Sequence, residues 1–308
     1  MKTGIKIYST DETFPPLDLA RLVEDSGIES IWLTDHSHVP AVSRVSDEQK
    51  SAYGGPQDAR EKRFAGSHAP GGLPREYYRN YDQLIALAMM GAVTSTLVLG
   101  TGICLVVQRD PITTAKEVAT IDRLTGGRFL FGVGAGASWN AVELHNHGVN
   151  PKTRNGLMLE RIDAMKQIWE NEQAEYHGKY VDFDPIFQWP KPVSQPHPPI
   201  LMGGMGPTVL DRTLRHADGW MPGHTDDSFA SLKDRIAELR ERAATLGKQM
   251  DVTLNLGRLD FVDQYVELGL DRVVYALPTS LGDGETRKFV SELGKIAQEV
   301  EGVTIAQA

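Results

Sequence analysis

Short runs rich in β-branched and aromatic residues alternate with longer amphipathic runs along nearly the whole chain, and no other feature limits its fold as tightly. Residues 5–8, 30–33, 97–100, 128–133, 200–202, 219–221, 252–256 and 272–277 read as strands. Helices are expected between them at 17–26, 81–94, 112–124, 157–169, 208–216, 228–246, 259–268 and 285–300. In the first of these, Leu19, Leu22 and Val23 fall on one helical face and Gly27 ends the helix. The helix at 81–94 is apolar nearly all round, which predicts burial on several sides. A small hairpin excursion is expected at 175–180, turning at His177 and Gly178, ahead of a proline-rich approach to the fifth strand.

Eight strands, each followed by a helix, over 308 residues predict an α/β fold, a closed (β/α)8 TIM barrel. An open doubly wound sheet is the alternative. The barrel is preferred because no linker, repeat or low-complexity tract marks a second domain, so residues 1–308 are expected to form one domain. The strand runs are also apolar on both faces, as parallel strands covered on both sides are.

Composition removes other classes. Hydrophobic residues make up 41% and charged residues 24%, which excludes a wholly disordered chain. The net charge of −9 argues against nucleic acid or an anionic membrane as the main partner. The single cysteine, Cys104, excludes an internal disulfide and any cysteine-cluster metal site. No apolar run approaches 18 residues, and residues 1–6 lack the core of a signal peptide, so a cytoplasmic location is expected.

Barrel active sites lie at the carboxyl ends of the strands, so the residues there carry the chemistry. They are Thr34, Asp35 and His36 after the second strand, Thr101, Gly102 and Ile103 after the third, and residues 134–138 after the fourth. Gly203, Gly204 and Met205 follow the fifth, with His224 further on. Two of these turns are glycine-rich and lead into helices, where backbone N–H groups make anion sites. The segment 37–79 is too long for a simple connection and predicts a lid over the barrel mouth, the plainer alternative being a surface insertion with no chemical role.

Two motifs carry more than one reading. Residues 132–137 fit G-x-G-x-x-G/A, but this fingerprint should follow the first strand of a dinucleotide fold and precede an acidic strand end about 20 residues on. Here it follows the fourth strand and leads to Asn150 and Pro151. It reads as an anion-binding turn, or as glycines that merely permit a tight bend. His36 and His38 form an H-x-H pair such as barrel metal sites use, yet only His224 is available as a further ligand, so no metal is expected.

Together the strand-end residues resemble the luciferase-like monooxygenase superfamily, in particular its coenzyme F420-dependent oxidoreductase branch. The resemblance rests on residues 29–36 (ESIWLTDH), 99–103 (LGTGI), 119–134 (ATIDRLTGGRFLFGVG), 176–180 (YHGKY), 190–192 (PKP), 198–204 (PPILMGG) and 217–220 (ADGW), in family order. It implies a flavin or deazaflavin ring deep at the carboxyl rim. It implies catalytic roles for His36 and Asp35, and cofactor contacts from Asp35, Thr101, Gly102, Ile103, Gly136, Ala137, Asn140, Gly203, Gly204 and Met205. Gly102 and Ile103 match a bulge, often with a non-prolyl cis peptide, that props the ring. Gly203, Gly204 and Met205 match the turn that approaches the phosphate. Pro40 and Ala137 stand where sugar-phosphate dehydrogenases of this branch carry tryptophan and glutamate, which argues against glucose-6-phosphate as substrate.

The function implied is hydride transfer between coenzyme F420 and a small organic substrate. The alternatives are an FMN-dependent monooxygenase served by a separate reductase and, in another class, a cofactor-less barrel acting as a ligand-binding or structural protein. The resemblance also implies a homodimer.

Overall fold

The computed structural model describes residues 1–39, 74–137 and 140–307. Most of the segment expected to form a lid, including Pro40, lies outside the described residues, as do Ser138 and Trp139.

The first half of the chain contains β1 (Lys2–Ile7), α1 (Pro16–Asp25), β2 (Ser30–Leu33), α2 (Glu76–Arg79), α3 (Gln83–Ala92), β3 (Val98–Thr101), α4 (Pro111–Leu124), β4 (Phe129–Val133), α5 (Ala141–Asn146) and α6 (Arg154–Glu170). The second half contains β5 (Gln173–His177), β6 (Asp182–Phe187), β7 (Ile200–Gly203), α7 (Val209–His216), β8 (Gly219–Met221), α8 (Asp226–Thr245), β9 (Asp251–Gly257), α9 (Val262–Glu267), β10 (Arg272–Ala276) and α10 (Asp283–Gln307). The order β1-β2-β3-β4-β7-β8-β9-β10 closes on itself, with every pair parallel. Ile5 sits opposite Ile31 on one side and Tyr275 on the other. This is the expected (β/α)8 barrel.

The hairpin excursion is present but longer than its sequence signal. β5 and β6 form a separate antiparallel pair, and the Gly178 N–H closes the turn onto the Val181 carbonyl at 2.8 Å.

Local chemistry sets the helix starts. Asp82 caps α3 by accepting from the Ile85 N–H at 3.0 Å, and Asp110 caps α4 by accepting from the Thr113 N–H at 2.8 Å, with Pro111 in the first turn. The expectation that the helix at 81–94 is covered on several sides needs correction. One face packs through Leu84, Leu87 and Met90, whereas Ile85 is 69% and Met89 51% exposed. These two are one turn apart and share a solvent-facing stripe.

Inside the barrel, Trp32, Leu201, Met221 and Val274 form a buried layer. Trp32 fits because the neighbouring strand offers Gly100, where a Cβ would overlap the indole ring. Its Nε1 donates to Ser30 Oγ at 2.8 Å. At the amino end of the barrel, Arg272 makes a two-pronged ion pair with Glu29 at 2.7 and 2.8 Å. The lumen is filled at this layer, and a cavity lies at the carboxyl rim. Among the described residues no helix is long and apolar enough to cross a membrane.

Candidate active site

The carboxyl ends of β1, β2, β3, β4 and β7 surround a cavity of about 410 Å³. Its wall carries Lys6 and Tyr8, Thr34, Asp35 and His36, Gly102, Ile103 and Leu105, residues 134–137, Asn140, and Gly203, Gly204 and Met205. Of the residues to which the resemblance assigns catalytic or cofactor roles, Thr101 alone is off this wall. It is fully buried, and its Oγ1 donates to the Gly132 carbonyl at 2.7 Å, bracing β3 against β4 from behind.

The glycine turns divide into two kinds. A Cβ on Gly134 would collide with Ile103 Cδ1, and one on Gly203 would stand 3.1 Å from both Ile103 Cγ2 and the Val133 carbonyl. These glycines are bare because the Ile103 side chain, carried on the bulge after β3 by a cis Gly102–Ile103 peptide, lies against them. Gly204 is different. Its φ is +116°, a region L-residues avoid, and a Cβ there would meet nothing within 4 Å. Gly136, with φ +75°, faces Asn140. Bare main chain therefore reaches the open space at Gly204, while at Gly134 and Gly203 it receives Ile103.

His36 is held by a residue the sequence did not single out. Its Nδ1 lies 3.1 Å from Oε2 of Glu143 on α5. The same Oε2 accepts from Asn140 Nδ2 at 2.9 Å, and Asn140 Oδ1 accepts from the Ala137 N–H at 2.9 Å. The chain of bonds runs from the turn after β4 to the imidazole. Burial pushes the Glu143 carboxyl up, but hydrogen bonding and charge from His36, then hydrogen bonds from Asn140 and Gln108, outweigh it and hold the group below its ordinary range. Glu143 is thus an ionised acceptor that faces His36 Nδ1 and fixes the orientation of the ring. Tyr77 lies beside this imidazole, ring centroids 5.0 Å apart.

Asp35 does different work from His36. Its carboxylate accepts from the Leu105 N–H at 2.9 Å and from Arg109 Nη2 at 3.0 Å, and Arg109 Nη2 also reaches Asp82 Oδ2 at 3.0 Å. This ties the end of β2, the bulge after β3 and the cap of α3 together. Cys104 beside it is fully buried, and burial followed by the Asp35 charge pushes its thiol well up, away from the reactive thiolate. Lys6, also not anticipated, lines the cavity and donates from Nζ to Asn255 Oδ1 at 3.4 Å.

The H-x-H pair separates. His36 joins the cavity wall, whereas the His38 ring lies 5.4 Å from that of His147, with Ser37 Oγ 2.9 Å from His38 Nδ1 and 2.6 Å from His147 Nε2. His224 packs among Phe229, Phe261 and Tyr265.

A closed parallel barrel with a histidine and bare turns at its carboxyl rim has the architecture of a barrel enzyme that holds its ligand against the main chain. The chain belongs to the luciferase-like monooxygenase family, whose model matches residues 15–262. It is 33% identical over 285 residues to the uncharacterized protein Rv0953c of Mycobacterium tuberculosis, covering 92% of this chain and 94% of that protein. It is 28% identical over 178 residues to an F420-dependent hydroxymycolic acid dehydrogenase of Mycobacterium tuberculosis (56% of this chain, 49% of that one). It is 30% identical over 148 residues to an FMNH(2)-dependent dimethylsulfone monooxygenase of Pseudomonas putida (47% and 40%). Among solved structures, the coenzyme F420 dependent tetrahydromethanopterin reductase from Methanopyrus kandleri superposes with a TM-score of 0.65 at 18% identity, covering 95% of this chain and 97% of that one. The family is one of oxidoreductases and monooxygenases, and the protein is an enzyme of that kind.

Proposed function

We propose that the cavity binds the ring of coenzyme F420 against the main chain of Gly102 and Ile103, and that the protein transfers a hydride between this cofactor and a small organic substrate. The observation that carries the reading is the imidazole of His36 on the wall of a cavity whose rim is bare at Gly204. The cavity suits such a group: Gly204 leaves its space open, and Ile103 presents an apolar surface on the wall.

When bound, coenzyme F420 supplies a ring carbon that takes up or gives a hydride. The chain supplies position, a dry pocket and a proton. Asp35, held by Arg109 and the Leu105 N–H, fixes the end of β2 and so the place of His36. Glu143, 3.1 Å from Nδ1, holds the ring in place. The His36 imidazole, on the cavity wall, would hold or release a proton at the substrate oxygen as charge develops there, a task suited to an imidazole.

F420 is preferred over FMN because the pattern of strand-end motifs is nearest to the F420 branch and because an F420-dependent relative matches over more of the chain than the FMNH(2)-dependent one. Titration with both cofactors, followed by ring fluorescence, tests the reading. The expected result is saturable binding of F420 at one per chain. Preferential binding of FMN favours a monooxygenase served by a separate reductase, and binding of neither leaves a cofactor-less barrel.

A further inference from the structure

Two arginines stand at the rim with no ion pair to any described carboxylate. Arg154 opens α6; its Nη1 donates to the Pro151 carbonyl at 2.6 Å, and its Nε points to the carbonyl of Gly136, a wall residue, at 3.4 Å. Arg212 lies on α7, donates from Nη1 to Thr208 Oγ1 at 2.8 Å, and has Nη2 3.9 Å from the place a Gly206 Cβ would take, two residues beyond Gly204. Its Nε is buried with no hydrogen-bond partner. The adjacent acid, Asp211, is engaged by Arg242 instead. Burial pulls the Arg212 guanidinium below its usual range, and the charge of Arg154 pulls it further. Two cations that repel each other, one with a buried donor lacking an acceptor, are an arrangement that an anion completes.

We propose that Arg154 and Arg212 form an anion subsite that grips the negatively charged end of the cofactor side chain, spanning the turns after β4 and β7. This rests on the reading above that the cavity holds the cofactor ring. The shared chemistry is a phosphoryl group, with any carboxylates beyond it. A guanidinium fork matches phosphoryl oxygens two at a time, and the start of α7 adds favourable partial charge.

Calorimetric titration of FMN against riboflavin, and of F420 against its dephosphorylated ring fragment, tests this at low and high KCl in the wild type, Arg154→Gln, Arg212→Gln and the double variant. The phosphorylated ligands bind the wild type about tenfold or more tightly than their dephosphorylated partners, and high salt erodes that advantage. Each variant loses about tenfold in affinity for the phosphorylated ligand and part of the salt dependence, while affinity for the dephosphorylated one stays within about twofold. A larger loss for F420 than for FMN assigns part of the grip to carboxylates beyond the phosphoryl group, and an equal loss assigns it to the phosphoryl group alone. Without ligand, the Tm of Arg212→Gln is at or above that of the wild type, because repulsion is relieved. Unchanged affinity and salt slope in the double variant overturn the subsite, as does a lowered ligand-free Tm with unchanged affinity. If the wild type binds phosphorylated and dephosphorylated ligands alike, the subsite alone fails; if it binds none of them, the ring site fails with it.

Discussion

The Nδ1 atom of His36 lies 3.1 Å from Oε2 of Glu143, a pairing across 107 residues of chain that brings the end of β2 onto the short helix α5. It gives an exchangeable imidazole a fixed orientation at the cavity wall. The barrel supplies its two ends from different turns, so either turn can disturb it.

The pair predicts a coupled titration. Replacing His36 by Gln removes the hydrogen bond and charge that lower the Glu143 carboxyl, while burial, which raises it, remains. The Glu143 midpoint therefore rises in His36→Gln, read by carboxyl carbon NMR. Because the wild-type carboxyl sits below its ordinary range, its contribution to stability is full above that range and is lost as pH falls through the folded-state value. An unmoved midpoint removes the charge coupling from the account.

For catalysis, His36→Ala keeps cofactor affinity within a few-fold and loses turnover by about 100-fold or more, the scale of a lost general acid–base group. Glu143→Gln keeps KM for the cofactor and lowers kcat by a smaller factor, since the imidazole remains but is held less well. Stopped-flow measurement of cofactor oxidation or reduction separates the two effects. Unchanged turnover in His36→Ala takes it out of the mechanism.

The barrel was legible in the sequence because its strands are covered on both faces and so read as continuous apolar runs. His36 and the rim glycines were legible because they sit where such strands end. Glu143 was not, because α5 is only six residues long and its acid gains meaning from a histidine that is distant in sequence. The two jobs of the glycines were also hidden: only the fold distinguishes Gly134, bare to admit Ile103, from Gly204, bare toward open space. The exposed stripe on α3 escaped notice because Ile85 and Met89 carry no polar mark of a solvent face.

Ile103 and Gly134 should behave as one unit. Gly134→Ala forces Ile103 to shift and weakens ring binding, and Ile103→Ala in the same chain relieves the collision. The double-mutant cycle should show a coupling of about 0.5–3 kcal/mol in urea unfolding, as contacting residues do. Additive effects would contradict the packing described.

Arg109→Ala leaves the buried Asp35 carboxylate without its cation. Its side chain is 4% exposed and that of Arg109 is 19% exposed, so this is a largely desolvated pair. The expected loss is about 3–5 kcal/mol of unfolding free energy, against much less for Asp35→Asn/Arg109→Leu, which removes both charges. Equal losses in the two variants would show that the pair is not what holds the end of β2.

Glu24 offers a pH test away from the site. Burial raises its carboxyl, but N–H groups of Thr96, Leu97 and Ser95 and the Thr96 hydroxyl outweigh this and hold it at about 2. Its contribution is complete above about pH 4.5 and is lost as pH falls toward about 2. Glu24→Gln should flatten that limb of the stability curve. An unchanged acid limb would refute the assignment.

Gly204→Leu should abolish cofactor binding, because a side chain would enter the open space at the rim. The φ of +116° also makes it lose about 1–3 kcal/mol of stability to backbone strain, so binding is best scored in samples shown to be folded by circular dichroism.

Diffraction from crystals soaked with oxidised F420 is the most direct measurement of all. The expected result is difference density for one tricyclic ring lying against the Gly102–Ile103 peptide, within hydrogen-bonding reach of His36. Density for the ring anywhere else, or a cavity that stays empty at saturating cofactor, would contradict it.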